Sequence, residues 1–281
     1  MEDAGCFLCR NAGVKELFKK KGSGGETYTL VKCRGCGLEF VSPRPSPEDI
    51  RACYGMNYFE NRTDRGYNDY FSDETRLQIE RVMAMNLHDM GFFEYEESLS
   101  GKRTGLDIGC AAGYFVGYLK ERGWRARGID VSTECVTRAA ASGLDVIEGD
   151  YLTTIFPEKF DLVTLWATIE HLHHPDKFID KIHGDLKEGG MLYISTCRSG
   201  GINFKRLFGR SWRYYNFPEH LYFFSYANLL ELLKRSGFKI SKYVTYGSGV
   251  GKQGSALKSV ADYAAKKFYA GDMMLVAARR V

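Results

Sequence analysis

Leu106-Asp-Ile-Gly-Cys-Ala-Ala-Gly113 closes an apolar strand that begins at Thr104 and leads into a helix running from Tyr114 to Arg122. Small residues at a strand-to-helix turn let a ligand approach the backbone closely, and the N-terminus of the helix offers free N–H groups. A dinucleotide fingerprint needs G-x-G-x-x-G, whereas the register here reads Gly109, Ala111 and Tyr114. A G-x-x-x-x-G-K-[ST] loop fails as well, because Gly251-Lys252 is followed by Gln253 and Tyr246 stands where the first glycine belongs. A pyrophosphate cradle is therefore disfavoured. What remains is an acid before the glycine, Asp107, and a second acid, Asp130, 23 residues further on at the end of the next strand. That spacing suits a carboxylate accepting from ribose hydroxyls. A third acid, Asp150, ends the following strand and suits an adenine amine.

The alternation continues outward. Further strands run from Arg125 to Ile129, Leu144 to Glu148, Phe160 to Leu165, Met191 to Thr196, Phe238 to Tyr246 and Met273 to Ala278. Helices run from Ser132 to Ser142, Pro175 to Leu186 and Phe224 to Ser236. The near-continuous apolar run at Phe160 fits a strand buried on both faces. Seven strands alternating with helices predict a doubly wound α/β sheet.

The N-terminal stretch, residues 1–42, has another chemistry. Cys6-Phe-Leu-Cys9 and Cys33-Arg-Gly-Cys36 are two C-x2-C pairs. Each aims two thiolates at one point, and four thiolates complete a closed tetrahedral site whose usual occupant is zinc. Gly22-Ser-Gly-Gly25 and the alternating Tyr28-Thr-Leu-Val31 between the pairs predict a hairpin, hence a zinc ribbon. So short a segment builds little core, so the metal should carry it, in a structural role. The remaining cysteines, Cys53, Cys110, Cys135 and Cys197, lack such spacing and read as small buried residues.

Residues 43–100 open on the breaker cluster Pro43-Arg-Pro-Ser-Pro47. Tyr54, Tyr58, Phe59, Tyr67, Tyr70 and Phe71 follow, and then a helix from Ser72 to about residue 90. Aromatic residues placed before an α/β domain suggest a lid.

The chain has 281 residues, 44% of them hydrophobic and 26% charged, which excludes a disordered chain and suits about two domains. The longest apolar stretch, Leu162 to Ile169, falls far short of the roughly 20 residues that span a bilayer. Met1-Glu-Asp-Ala4 has neither a basic nor an apolar leader region, so a cytoplasmic location is expected. The net charge of +4 is uneven: from Arg198 to the end there are 15 basic and 4 acidic residues. A basic last third points to an anionic partner.

Residues 104–281 resemble the class I S-adenosylmethionine-dependent methyltransferases. The pieces LDIGCAAG, GIDVS, EGDY, FDLVTLWATIEHL and LKEGGMLYIST stand in that family's order and spacing. The resemblance implies a Rossmann-like sheet whose last strand is antiparallel. It implies that the Gly109–Gly113 loop backs the methionine of the cofactor, that Asp130 holds the ribose and that Asp150 with Tyr151 flanks the adenine. The cofactor site it marks comprises Tyr67, Tyr70, Asp107, Gly109, Cys110, Ala111, Gly113, Asp130, Val131, Asp150, Tyr151 and Trp166.

The ribbon narrows this further. LVKCRGCGLEFVSPRPSPEDI, GYNDY and PEHLYFFS look like zinc-ribbon methyltransferases of carbohydrate and surface-polysaccharide pathways, deoxysugar C-methyltransferases among them. Their catalytic positions fall on His171, Glu219 and His220, with a histidine as base and Glu219 orienting it. Glu170-His-Leu-His-His174 also reads as a capped helix start, with His173 and His174 on a surface loop before Pro175. Arg198, Lys205, Arg206, Arg210 and Arg213 interleave with Phe204, Phe208, Trp212, Tyr214 and Tyr215 in an insert, residues 198–226. Basic residues among aromatics suit a phosphorylated, nucleotide-linked or lipid-linked sugar, or RNA. Three functions stay open: a small-molecule methyltransferase acting on such a sugar, an RNA methyltransferase that grips nucleic acid with the ribbon and insert, and a non-catalytic binding module.

Overall fold

The computed structural model of the chain describes residues 1–52, 59, 69–200, 205–247 and 256–281, with the side chains of Arg206 and Leu207 left out. In chain order the first elements are strands β1 (Val14–Lys21), β2 (Thr27–Cys33) and β3 (Glu39–Val41) and helices α1 (Pro47–Ala52), α2 (Asp73–Asp89) and α3 (Phe92–Ser98). Then come β4 (Thr104–Ile108), α4 (Tyr114–Glu121), β5 (Arg125–Asp130), α5 (Thr133–Ala141), β6 (Val146–Glu148), β7 (Phe160–Trp166), α6 (Pro175–Asp185) and β8 (Leu186–Cys197). The last are α7 (Lys205–Phe208), β9 (Tyr222–Phe223), α8 (Tyr226–Arg235), β10 (Phe238–Tyr246), α9 (Ala256–Lys267) and β11 (Met273–Arg280).

The main sheet has seven strands in the order β10-β11-β8-β7-β4-β5-β6. Five of them, from β8 to β6, run parallel, and β11 inserts antiparallel between β8 and β10. β4 and most of β7 are buried, which is why both read as continuous apolar runs. The strand order reverses between β4 and β7, and there the sheet leaves a crevice at its C-terminal edge.

Helix ends follow the sequence cues. Ser72 caps α2 by accepting from Thr75 N (3.2 Å), and Ser225 forms a capping box with Asn228 at α8. The helix expected up to Leu186 stops at Asp185, because Leu186 already opens β8. The third strand is shorter than expected, covering only Val146–Glu148.

The N-terminal hairpin pairs onward to β3, and β3 pairs with β9 from the insert, giving a second sheet in the order β1-β2-β3-β9. The ribbon is thus stitched to the α/β domain by backbone. Its residues Cys6, Leu8, Leu38 and Phe40 share one buried cluster with Ile108, Leu165, Leu221 and Phe224. Arg44, 6% exposed, reinforces the seam: its guanidinium donates to Tyr222 Oη (2.6 Å) and to the His173 carbonyl (3.2 Å). Cys110, Cys135 and Cys197 are buried as expected, while Cys53 lies outside the described residues.

Candidate active site

The turn after β4 is built from left-handed backbone: Gly109 has φ +70°, Ala111 +45° and Gly113 +73°. A Cβ on Gly109 would sit 2.6 Å from Thr168 Oγ1, so glycine is what lets this turn pack against the one after β7. Ala111 bears a strain of about 1–2 kcal/mol for its side chain in that conformation. Its N–H donates to Asp130 Oδ2 (2.8 Å), and Ser132 N donates to Oδ1 (2.9 Å). The Asp130 carboxylate is therefore fixed from both sides at the end of β5. Burial raises its pKa, against the opposing pull of these N–H groups. Each oxygen keeps a lone pair for a further donor.

A cleft of about 940 Å³ crosses the C-terminal edge of the sheet at this point. Gly109, Ala111, Asp130, Val131, Asp150, Tyr151 and Trp166 of the expected cofactor set border it, as does Tyr70. Val131 is exposed to it as a bare apolar surface. Asp150 also faces Arg51 of α1, whose guanidinium lies 3.0 Å from Oδ2. Tyr151 turns its ring into the core against Phe178, and its hydroxyl donates to Asp185 (2.7 Å). Tyr70 stacks on Tyr114 (5.3 Å between centroids), and its carbonyl accepts from the Tyr114 hydroxyl.

Three expected members stand behind the cleft rather than on it. Asp107 is buried beneath the turn, where Thr164 Oγ1 donates to it at 2.6 Å, and burial pushes its pKa up to about 7. Cys110 packs its sulfur on Gly128, where a Cβ would lie 2.5 Å away. Gly113 starts α4 and touches Leu144 instead. Tyr67, like Tyr54, Tyr58 and Phe204, lies outside the described residues.

The far end of the cleft holds the histidines. His171 and His220 both line it, with ring centroids 4.7 Å apart in edge-to-face contact. His171 Nδ1 lies 2.8 Å from the main-chain carbonyl of Glu219. Glu219 is buried and is not among the lining residues, and its main-chain carbonyl is what meets His171 here. Glu170 does border the cleft: its carboxylate, the Cys197 sulfur and a His220 ring nitrogen all lie within 4.8 Å of one another. Thr196 Oγ1 donates to Glu170 Oε2 (2.8 Å), and burial pushes the Glu170 carboxyl up to about 7. Glu170 was hidden in the sequence as part of a helix start. The signal available was an acid directly before His171, in the turn that follows β7. His173 and His174 lie in a loop before α6, as expected; His174 is exposed, while His173 is half-buried with Nε2 3.0 Å from the Pro45 carbonyl.

Among the described side chains, most basic residues of the insert are engaged away from the cleft. Arg198 is buried and donates to the Gly271 carbonyl and the Tyr243 hydroxyl. Lys205 pairs with Glu39 of β3, and Arg210 lies over Phe18 of β1. Of the five, Arg213 alone is described at the cleft, where it is joined by Lys258 of α9. A charge count along the chain does not tell which face each side chain takes.

In the ribbon, Cys6 and Cys36 sulfurs are 3.4 Å apart, Cys9 and Cys33 3.4 Å, and Cys6 and Cys9 3.7 Å. Four thiolates at about 2.3 Å from a tetrahedral zinc would stand about 3.8 Å apart, so the donor set fits that ion.

The seven-stranded sheet with its cleft at the C-terminal edge is the Rossmann-like α/β fold of methyltransferases. The chain belongs to the family described as "Methyltransferase domain", which it matches over residues 76–243. It is 32% identical over 123 residues to the ubiquinone biosynthesis O-methyltransferase of Pseudomonas entomophila (strain L48), covering 39% of this chain and 53% of that protein. To the protein of the same name from Methylococcus capsulatus it is 30% identical over 127 residues, 42% of this chain and 53% of that one. The chain thus spans about half the length of these relatives. Among solved structures, a methyltransferase of Archaeoglobus fulgidus superposes with a TM-score of 0.56 at 17% identity, over 80% of this chain and 100% of that one. The magnesium protoporphyrin IX methyltransferase of Synechocystis, solved with S-adenosylhomocysteine, gives 0.56 at 15%, over 84% and 100%. At such identities the structures speak for the fold alone.

Proposed function

We propose that the chain methylates an oxygen of a small polar acceptor, a sugar carrying phosphate or diphosphate, as a nucleotide-linked or lipid-linked precursor. The observation that carries this reading is the packing of His220 against Glu170 and His171 at one end of the cleft whose other end Asp130 borders. The names of the O-methyltransferase relatives support an oxygen acceptor.

S-Adenosylmethionine supplies the methyl group, on a sulfonium. Asp130 would accept from the ribose hydroxyls, Val131 would pack on the adenine, and Asp150 would receive its amine while keeping Arg51. Holding the acceptor in line is the larger contribution, about 7–11 kcal/mol for a near-attack geometry. His220 takes the proton of the acceptor hydroxyl, and the Glu170 carboxylate stabilises the imidazolium that results. His171, anchored by the Glu219 carbonyl, keeps the His220 ring in place. Arg213 and Lys258 face the phosphate. The four ribbon thiolates would hold one zinc in a closed, structural site. In this reading residues 1–42 form the ribbon, 43–100 cover the cleft and 101–281 carry the chemistry.

A panel of nucleotide-linked and lipid-linked sugar phosphates, phenols and RNA, assayed with labelled methyl donor, tests the proposal. A sugar phosphate should be labelled, and His220→Ala should lower the maximal rate by roughly 10²–10⁴-fold with donor affinity unchanged. Labelled phenol or RNA with no labelled sugar would refute the acceptor class, and full turnover by His220→Ala would refute the base.

A further inference from the structure

The inner side of α9 (Ala256–Lys267) carries Lys258 into the cleft wall. Its outer side is apolar: Leu257, Val260, Tyr263 and, just beyond the helix, Phe268 are 64, 67, 66 and 69% exposed. The three-residue spacing of the first three puts them on one side of the helix. Single exposed apolar residues are ordinary, but a contiguous group of four large ones marks an interaction surface.

The border of this surface is basic and aromatic. Lys267 stands by Tyr263, its ammonium 5.8 Å from the ring centroid. The edge strand β10, against which α9 packs, adds exposed Lys239 and Lys242. The one acid of α9, Asp262, is held by Lys258 at 2.6 Å. Next to the helix, Tyr269 stacks on Tyr243, which stacks on Tyr226 (5.4 and 4.1 Å between centroids). An apolar helix face edged by lysines and tyrosines is what a helix lying in the plane of a membrane presents, with lysines meeting acidic headgroups and tyrosines the interface. The exposed Lys239, Lys242 and Lys267 select an anionic surface. At 12 residues α9 is too short to cross a bilayer, and no helix among the described residues is long and apolar enough to do so.

We propose that α9 docks the protein on an anionic lipid bilayer, holding the cleft that Lys258 lines close to the headgroups. The docking requires no particular acceptor, so it stands apart from the acceptor class proposed above.

Flotation of the full-length chain with phosphatidylcholine vesicles, with or without half phosphatidylglycerol, tests it. The protein should float with the anionic vesicles and at least about tenfold less with phosphatidylcholine alone or at high salt. The double variant Val260→Asp/Phe268→Asp should lose flotation about tenfold or more while its donor affinity and circular dichroism stay those of the parent. Absence of flotation, or a variant that floats like the parent, overturns the proposal. So does a parent dimer that the variant breaks while neither binds vesicles, since the face would then belong to a second copy.

Discussion

Glu170 is a cleft acid whose chemistry departs far from its exposed reference. Its carboxyl titrates at about 7 in the folded chain against 4.5 in the unfolded one, with burial as the cause. Between those values the folded state keeps a proton that the unfolded state has released, so stability falls as pH rises from about 4.5 to about 7 and is flat above. The displacement corresponds to about 3 kcal/mol. Glu170→Gln should therefore be more stable than the parent by on the order of 2–3 kcal/mol at pH 8 and gain much less at pH 5, as read from thermal melts. An equal gain at both pH values would show that charge burial is not the reason. Turnover should move the other way: it needs the carboxylate, so it should climb with pH through about 7 in the parent, and Glu170→Gln should lose that limb of the profile. Ala111→Gly is the converse case, relieving left-handed strain. It should raise stability by up to about 1 kcal/mol, because the glycine's own chain entropy offsets part of the relief, and leave donor affinity within twofold by calorimetry.

At the scale of elements, the seven-strand sheet was legible because each strand is an apolar run with a turn signal at its end. The acids Asp130 and Asp150 were legible because they close two of those runs. The two-residue strand β9 was not: two residues show no alternation, and its partner β3 lies some 180 positions away, with Phe40 opposite Tyr222. Helices α1, α3 and α9 were missed for short length or an outer face that is apolar rather than polar. The unread strand has a functional consequence. Val41 N of the ribbon donates to the Leu221 carbonyl (2.9 Å), and Leu221 N donates to the Glu170 carbonyl (2.9 Å). His220 directly precedes Leu221 in the chain. Cys33→Ser, which removes one of the four thiols, should thus lower acceptor turnover at least tenfold while donor affinity changes less than about threefold, with bound zinc measured on the same preparation. Intact turnover in a variant that has lost its zinc would sever this link; loss of donor binding to the same degree would mean the whole fold depends on the ribbon.

For the whole molecule, the cleft joins what the chain keeps far apart. Asp130, Glu170 and His220 come from three separate strand ends or turns, and α1, α2 and α9 close over them. Hydrophobic pattern locates the sheet edge where they meet, but which side chains turn into the cleft depends on packing, as Asp107 beneath the turn and Arg198 beside Tyr243 illustrate. Everything proposed for the cleft requires that the β4–α4 turn and Asp130 bind S-adenosylmethionine. Calorimetric titration of the parent and Asp130→Ala with S-adenosylmethionine, and of the parent with NAD, tests it most directly. The parent should bind the methyl donor more tightly than NAD, and Asp130→Ala should weaken donor binding by about 2–3 kcal/mol, the loss of charge-assisted hydrogen bonds. Unchanged affinity in the variant, or tighter binding of NAD, would contradict the account.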